Sequence, residues 1–343
     1  MKMTLRTYDL KLKHTFKIAH DQRDIQKTLI LELAHEGISG YGEATASNYY
    51  GYSIKEMIEV LESHREEIEK YNGSDPEKFW EEMKPNFSSN SFAQCALDVA
   101  ANDLFGKMKG QPLYRIWGMN LSTIPTTNYT IGIDTIEKMV EKMQEFPWPM
   151  YKIKLGTGED LEIINALREH TDAVFRVDAN CAWGIEETIN NSRALKKLNV
   201  EFIEQPMQAD NWDGMKEVFA ESELPLIADE SCVTEEYVEK CHNYFHGVNI
   251  KLMKCGGLTP ARRMISKAKS LGMKAMVGCM TESSVGISAI SQLLPALDYV
   301  DMDGAVLISN DMAEGPKLKN GQIIMPDGNG SGTRLLSRLK TAD

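Results

Sequence analysis

The chain has 343 residues, 42% hydrophobic and 26% charged, with a formal net charge of −12. That length excludes one small domain and predicts two, or one large barrel with an accessory domain. The composition is that of a globular protein, and the acidic balance argues against nucleic acid and anionic membrane as partners.

No run of about 18 apolar residues occurs, so no membrane-spanning helix is expected. The opening stretch MKMTLRTYDLKLKHTF lacks the apolar segment of a secretory signal. Six cysteines, at 95, 181, 232, 241, 255 and 279, form no CxxC pair. Reduced thiols and a cytoplasmic location are expected from that usage. The histidines show no HExxH spacing, which argues against a His/Cys-bound zinc.

In chain order, residues 4–12 and 27–34 read as strands, and GISGYGEA as a turn and a third strand of an antiparallel sheet. SIKEMIEVLESHREEIEKY follows as a helix capped by Ser53. FAQCALDVAANDLFGKMKG is a second helix, apolar on most faces and therefore buried, and Gly110, Gln111 and Pro112 end it. From about residue 125 short apolar strands alternate with helices. They are TTNYTIG, YKIKLG, FRVDAN, EFIEQP, PLIADE, GVNIKL, KAMVGC and DYVDMD. Eight such units predict a (β/α)8-type barrel.

One polar residue stands near the end of five successive strands: Lys152, Asp178, Glu204, Asp229 and Lys251, at steps of 26, 26, 25 and 22 residues. Catalytic groups of such barrels sit at the C-terminal strand ends, so these five should converge. In YKIKLG, Lys152 and Lys154 share a strand face. If that face is solvent, the pattern is only an amphipathic strand. If it is the barrel interior, two ammonium groups have been brought together against repulsion and desolvation.

Asp178, Glu204 and Asp229 supply three hard oxygen ligands of the kind that suit Mg2+. The bland alternative is three capping or salt-bridging acids. Glu230 should point elsewhere by strand alternation. Lysines on both sides of a metal-bound carboxylate fit removal of an α-proton through an enediolate and its return to the other face. Lys154 is assigned as base on one face, Lys152 as its electrostatic partner and Lys251 as acid/base on the other. A second cation, burial and a metal would all depress a lysine pKa toward the neutral base.

With KxK in YKIKLG, acids in RVDAN, IEQP and IADES, a lysine in NIKLMKCGG and the helix ALDVAANDLFGKMKGQPLYRIWG, the chain resembles the enolase superfamily. Within it, the chain is similar to the muconate-lactonising subgroup. The resemblance implies a (β/α)7β TIM-like barrel with an N-terminal α+β capping domain. It divides the chain into a cap (1–120), a barrel (121–315) and a tail returning to the cap (316–343). Cap loops at 14–24 and 44–53 would select the substrate.

DMD, at 301–303, resembles the DxD of dipeptide epimerases, where Asp301 and Asp303 would bind a substrate ammonium. Their bland alternative is a solvated strand end. Thr130 matches a substrate-contacting threonine. In the first cap loop Asp21 falls near an arginine position of epimerases acting on L-Ala-D/L-Glu, with Arg23 two residues on and Lys17 close. Tyr50, with Tyr49 and Tyr52, would line an apolar pocket or simply pack the cap.

The resemblance thus implies a Mg2+-dependent isomerase, a dipeptide epimerase with a small-molecule dipeptide as partner. It inverts the C-terminal residue's α-carbon, with L-Ala-D/L-Glu from cell-wall peptide turnover as default substrate. A homo-oligomer is left open. The rivals are a cycloisomerase, an o-succinylbenzoate synthase or an N-succinylamino acid racemase on the same scaffold, or a non-catalytic ligand-binding barrel.

Overall fold

The computed structural model describes residues 1–18 and 21–336. β1 (Lys2–Ile18), β2 (Asp21–His35) and β3 (Ile38–Thr45) form an antiparallel sheet in that order. On β2, Leu29, Leu31 and Leu33 enter the main core, while Ile30 faces a second apolar cluster on the other side. Strand alternation sorts these side chains onto opposite faces. Glu36 and Gly37, at φ of 49° and 80°, make the β2–β3 turn. Two residues of positive φ match the twist of the flanking strands.

β1 and β2 run beyond the expected 4–12 and 27–34. Where it is described, the segment expected as a first cap loop is paired strand, with Phe16 opposite Arg23, Lys17 opposite Gln22 and Ile18 opposite Asp21; residues 19 and 20 of that loop lie outside the described residues. The barrel braces the paired strands, because Ile133 N–H donates to the Lys17 carbonyl at 2.8 Å. Gly132 permits that approach: a Cβ there would lie 3.0 Å from the same carbonyl oxygen.

The helix Ile54–Ser63 starts at Ser53 in a reciprocal cap. Ser53 Oγ accepts from the Glu56 N–H at 3.2 Å, and Glu56 Oε2 accepts from the Ser53 N–H at 2.9 Å. The helix Ser91–Met108 is buried along most of its length and lies across β3. Its alanines at 96 and 100 meet Gly42 and Gly40, where a Cβ would fall 2.0 Å and 2.3 Å from the helix carbonyl oxygens. The two-residue spacing of the glycines puts both on one strand face.

The barrel strands are β4 (Tyr129–Ile131), β5 (Met150–Lys154), β6 (Val174–Asp178), β7 (Val200–Glu204), β8 (Leu226–Ala228), β9 (Gly247–Ile250), β10 (Lys274–Gly278) and β11 (Tyr299–Asp301). They pair in parallel and in sequence order, and a bridge between Thr127 and Val300 joins the first strand to the last. A helix of seven residues or more stands between each successive pair, so the architecture is (β/α)7β. Ile153, Val177, Ile203, Val248 and Val277 point outward into the core. The inward residues are layered. Phe202, Ile227 and Met276 cluster low with Tyr299 beside them, and the Arg176 guanidinium lies 5.1 Å from the Phe202 and Tyr299 rings. Polar side chains fill the mouth above.

Polar anchors fix the cap over that mouth. Asp98 accepts from the N–H and O–H of Thr259 at 2.9 and 2.7 Å. Trp80 Nε1 donates to the Gly256 carbonyl at 2.9 Å. Glu43 accepts from Ser283 Oγ at 2.6 Å and from the Gly286 N–H at 2.9 Å. Of the described residues, no helix is long and apolar enough to cross a membrane.

Gly42→Ala is expected to destabilise the protein by about 1–3 kcal/mol, because a Cβ there must displace helix backbone. Thermal unfolding should show a midpoint several degrees lower; an unchanged midpoint would mean that helix and sheet separate without cost.

Candidate active site

The inward phase of the strands brings the predicted residues together. Lys154 pairs in register with Asp178, and Asp178 with Glu204. Asp229 and Lys251 follow β8 and β9, and Asp301 ends β11. Asp178, Glu204 and Asp229 are fully buried. Each offers a carboxylate oxygen within 4.8 Å of the others.

The lysines hold these acids. Lys152 Nζ lies 3.2 Å from Asp178, 2.8 Å from Glu204 and 2.9 Å from Asp301. Lys154 Nζ lies 2.6 Å from Asp178 and Lys251 Nζ 2.7 Å from Asp229. Burial opposes ionisation of Asp178, but Lys154 and Lys152 outweigh it and draw the carboxyl down to about 2. Burial opposes ionisation of Asp229 too, and Lys251 and Lys254 overcome it, so it sits well below the usual carboxylate range. Glu204 is pushed up to about 7 by burial and the neighbouring Asp178 charge.

The expected depression is not found for Lys152 or Lys251 in this arrangement. Burial lowers Lys152, yet Asp301, Glu204 and Asp178 together raise it well above the ordinary lysine value. Lys251 is raised likewise by Asp229 against its burial. The carboxylates themselves grip the ammonium groups. A divalent cation competing for the same oxygens would remove that grip.

The donor set fits such a cation. Three hard carboxylates without histidine or thiolate suit Mg2+. Among the described residues Glu204 Oε2 makes no hydrogen bond of good geometry, and its one close cation is Lys152 Nζ at 2.8 Å, which leaves a buried lone pair for a ligand.

Above the acids lies a pocket lined by Lys152, Lys154 and Lys251, by Thr130, Asp301 and Asp303, and by Asp21, Arg23 and Tyr50 from the cap. Asp301 and Asp303 are 5% and 2% exposed, so the solvated strand end is excluded. Asp303 stands just past β11 and accepts from the Thr130 N–H at 2.5 Å. Burial and the adjacent Asp301 charge push Asp303 up to about 8. Asp301 itself is lowered, because Lys152 outweighs its burial. Asp21 and Arg23 form an ion pair at the pocket rim, and Arg23 also donates to Gln26. Lys17 lines a different hollow, since its neighbours on β1 turn inward instead. Tyr49 and Tyr50 face the pocket, whereas Tyr52 packs on Phe92 with ring centres 4.7 Å apart.

Two buried groups escaped the strand-period reading. Glu230, expected to point elsewhere, lines the pocket: β8 ends at Ala228, and the inward phase that still places Asp229 does not extend to the residue after it. Burial and the charges of Asp229 and Asp178 push it up to about 8. Lys254 lies on a short helical turn, Leu252–Cys255, that folds it back beneath Asp229. Its Nζ donates to Asp229 Oδ1 at 2.6 Å and to the Asp229 carbonyl at 2.5 Å. Its three-residue offset from Lys251 was the signal available in NIKLMKC.

Residues 2–118 match the family described as mandelate racemase / muconate lactonizing enzyme, N-terminal domain, and residues 134–338 match enolase C-terminal domain-like. The chain belongs to the enolase superfamily. Among its relatives, an L-Ala-D/L-amino acid epimerase of Flavobacterium johnsoniae is 59% identical over 98% of this chain and 100% of its own length. A protein of the same name from a Maribacter species is 56% identical over 98% of this chain and 99% of its own. A dipeptide epimerase of Cytophaga hutchinsonii, solved with Mg and D-Ala-L-Val, superposes with a TM-score of 0.93 at 26% identity. It covers 98% of this chain and 97% of its own.

Lys254→Met should strip Asp229 of its buried partner and cost about 3–5 kcal/mol. Urea unfolding measures this directly, and a midpoint equal to wild type would mean that Lys251 alone compensates Asp229.

Proposed function

We propose that the protein is a Mg2+-dependent dipeptide epimerase that inverts the α-carbon of the C-terminal residue by 1,1-proton transfer. The observation that carries this reading is the placement of two lysines at the two ends of one carboxylate series. Lys154 stands at Asp178 and Lys251 at Asp229, and both line the same pocket. The close epimerase relatives, similar over almost their whole length, support the same reading.

Asp178, Glu204 and Asp229 would hold the Mg2+, which when bound supplies positive charge where the substrate carboxylate gains negative charge. Lys152, between these acids and Asp301, would meet the substrate carboxylate. Asp301 and Asp303 suit the dipeptide ammonium, a buried cation opposite paired carboxylates. Neutral Lys154 Nζ takes the α-proton as the C–H bond breaks, and its electron pair passes into the carboxylate. The Lys251 ammonium gives a proton to the opposite face, and the reverse reaction exchanges their roles.

Domain division follows the same reading: a cap over 1–120, the barrel over 121–315 and a tail from 316. The tail is supported by the hydrogen bond of the Leu113 N–H to the Gly330 carbonyl at 2.9 Å and of the Ser331 N–H to Asp103 at 2.7 Å. Its residues 337–343 lie outside the described residues.

The cap supports a broad choice of second residue. Arg23 is neutralised by Asp21 and tied to Gln26, which is itself held by the Ala46 carbonyl at 2.8 Å. Among the described residues at that rim, Arg23 is therefore not free to select an acidic side chain. L-Ala-D/L-Glu falls within this range as one substrate among several.

Incubation with an L,L-dipeptide library and Mg2+ in D2O should add one mass unit to each dipeptide processed. No gain in any dipeptide would end the epimerase reading and direct attention to succinyl and muconate-type substrates. Lys154→Ala and Lys251→Ala should each lower epimerisation by roughly 10²–10⁴-fold. Each variant should still exchange the α-proton of one epimer, with opposite preference; the same preference in both would rule out a base on each face. Asp21→Ala should free Arg23 and raise kcat/KM for L-Ala-L-Glu relative to a neutral dipeptide by roughly tenfold, the order of one charge-assisted hydrogen bond. An unchanged ratio would place Arg23 out of reach of the side chain.

A further inference from the structure

Two acceptors in the pocket have no donor. Asn180 and Glu230 are 6% and 8% exposed, and both line the pocket. Among the described residues, Asn180 Oδ1 and Glu230 Oε2 make no hydrogen bond. Asn180 Nδ2 donates to Glu230 Oε1 at 3.4 Å, so the amide donor is turned to the carboxylate while its carbonyl oxygen is left over. A buried acceptor without a donor costs ~1–3 kcal/mol. Two side by side call for a ligand that brings donors.

Position decides which donors. Asn180 follows Asp178 by two residues, and its N–H donates to Asp178 Oδ1 at 3.0 Å. Glu230 follows Asp229 directly. Both acceptors are therefore carried by the segments that carry the carboxylate series, between β6 and β8. Asp301 and Asp303, which suit the dipeptide ammonium, stand at β11 beside β4, elsewhere around the barrel. Mg2+ takes six ligands and dehydrates reluctantly. Three carboxylates and a substrate carboxylate leave room for retained water. Such water offers two polarised O–H donors.

We propose that Asn180 Oδ1 and Glu230 Oε2 accept hydrogen bonds from water retained on the divalent cation of Asp178, Glu204 and Asp229. They are positioning residues: by fixing where the water sits, they fix which coordination positions remain for the substrate carboxylate. This rests on the Mg2+ reading above. The backbone suits the task, because Asn180 has a φ of 43°, a conformation that asparagine and glycine adopt readily.

The test measures metal binding by the full chain without dipeptide. Mg2+ affinity is read by titration calorimetry, and retained water by proton relaxation of the Mn2+-loaded protein. Asn180→Gly removes the amide and keeps a residue at ease with that φ; Glu230→Leu removes the carboxylate. Each should weaken Mg2+ binding by about 10–100-fold and lower the Mn2+ relaxation enhancement. The unfolding midpoint of the metal-free protein should hold or rise. Affinity within twofold of wild type and unchanged relaxation in both variants would overturn the inference. So would a fall in the metal-free midpoint at unchanged affinity, which marks a purely structural role. If Glu230→Leu does not fold, Asn180→Gly decides alone. A wild-type protein that binds no Mg2+ would overturn the metal reading and this inference together, whereas wild-type binding with indifferent variants would overturn this inference only.

Discussion

Everything at the barrel mouth depends on compensation of buried charge. Asp178, Glu204, Asp229 and Asp301 face Lys152, Lys154, Lys251 and Lys254 where water is scarce. Isolated charges there would cost several kcal/mol each. The groups that would upset the match, Glu230 and Asp303, are both pushed up to about 8 by burial and neighbouring carboxylates. The barrel makes the arrangement available, because parallel strands in register carry inward residues to one level. Below that level the Arg176 guanidinium donates to Asn128 at 3.3 Å and to the Val300 carbonyl at 3.0 Å, and Asn128 donates to Asp301 at 2.8 Å. The mouth therefore stands on a second polar layer that fixes Asp301, and with it Lys152.

The cap turns this charged mouth into a lined pocket. Its small-residue contact, Gly40 and Gly42 against the helix Ser91–Met108, holds the sheet close enough for Glu43 on β3 to reach Ser283 and Gly286 of the barrel. The same sheet carries β1 and β2 outward as a braced hairpin, so Asp21 and Arg23 arrive at the rim on ordered strands. Elements that select substrate are often loops. Here the first of them is mostly sheet, which explains why it fixes an ion pair instead of presenting a free cation.

The barrel and its five strand-end charges were legible in the sequence because strand period and unit length are local signals. A polar residue at a step of about 25 needs only the strand's phase to be placed. Glu230 and Lys254 were not legible in that way. Glu230 stands beyond Asp229 and Lys254 on the helical turn after Lys251, so the strand phase that places Asp229 and Lys251 does not reach them. The paired strands at 14–18 and 21–24 were read as a loop because they carry polar residues on both faces, HTFKI and DQRD. What holds them extended is the barrel contact through Gly132 and Ile133, distant in sequence. Arg176 sits in FRVDAN with the correct inward phase, but its partners are Glu201 on β7, Asn128 just before β4 and the Val300 carbonyl on β11, and no local pattern announces them.

The two lysines of YKIKLG follow from the same compensation. Lys152 and Lys154 both reach Asp178 Oδ2, at 3.2 and 2.6 Å, so one oxygen stabilises two neighbouring ammonium groups. A divalent cation on that oxygen would compete with both lysines for it. Lys152 also has Asp301 as a partner, at 2.9 Å. For Lys154, Asp178 is the one ion-pair partner among the described residues. Of the pair, Lys154 is thus the one with fewer carboxylates around it, and the base role proposed for it rests on that asymmetry. The division of labour between two identical side chains is set by which of them has a second carboxylate within reach.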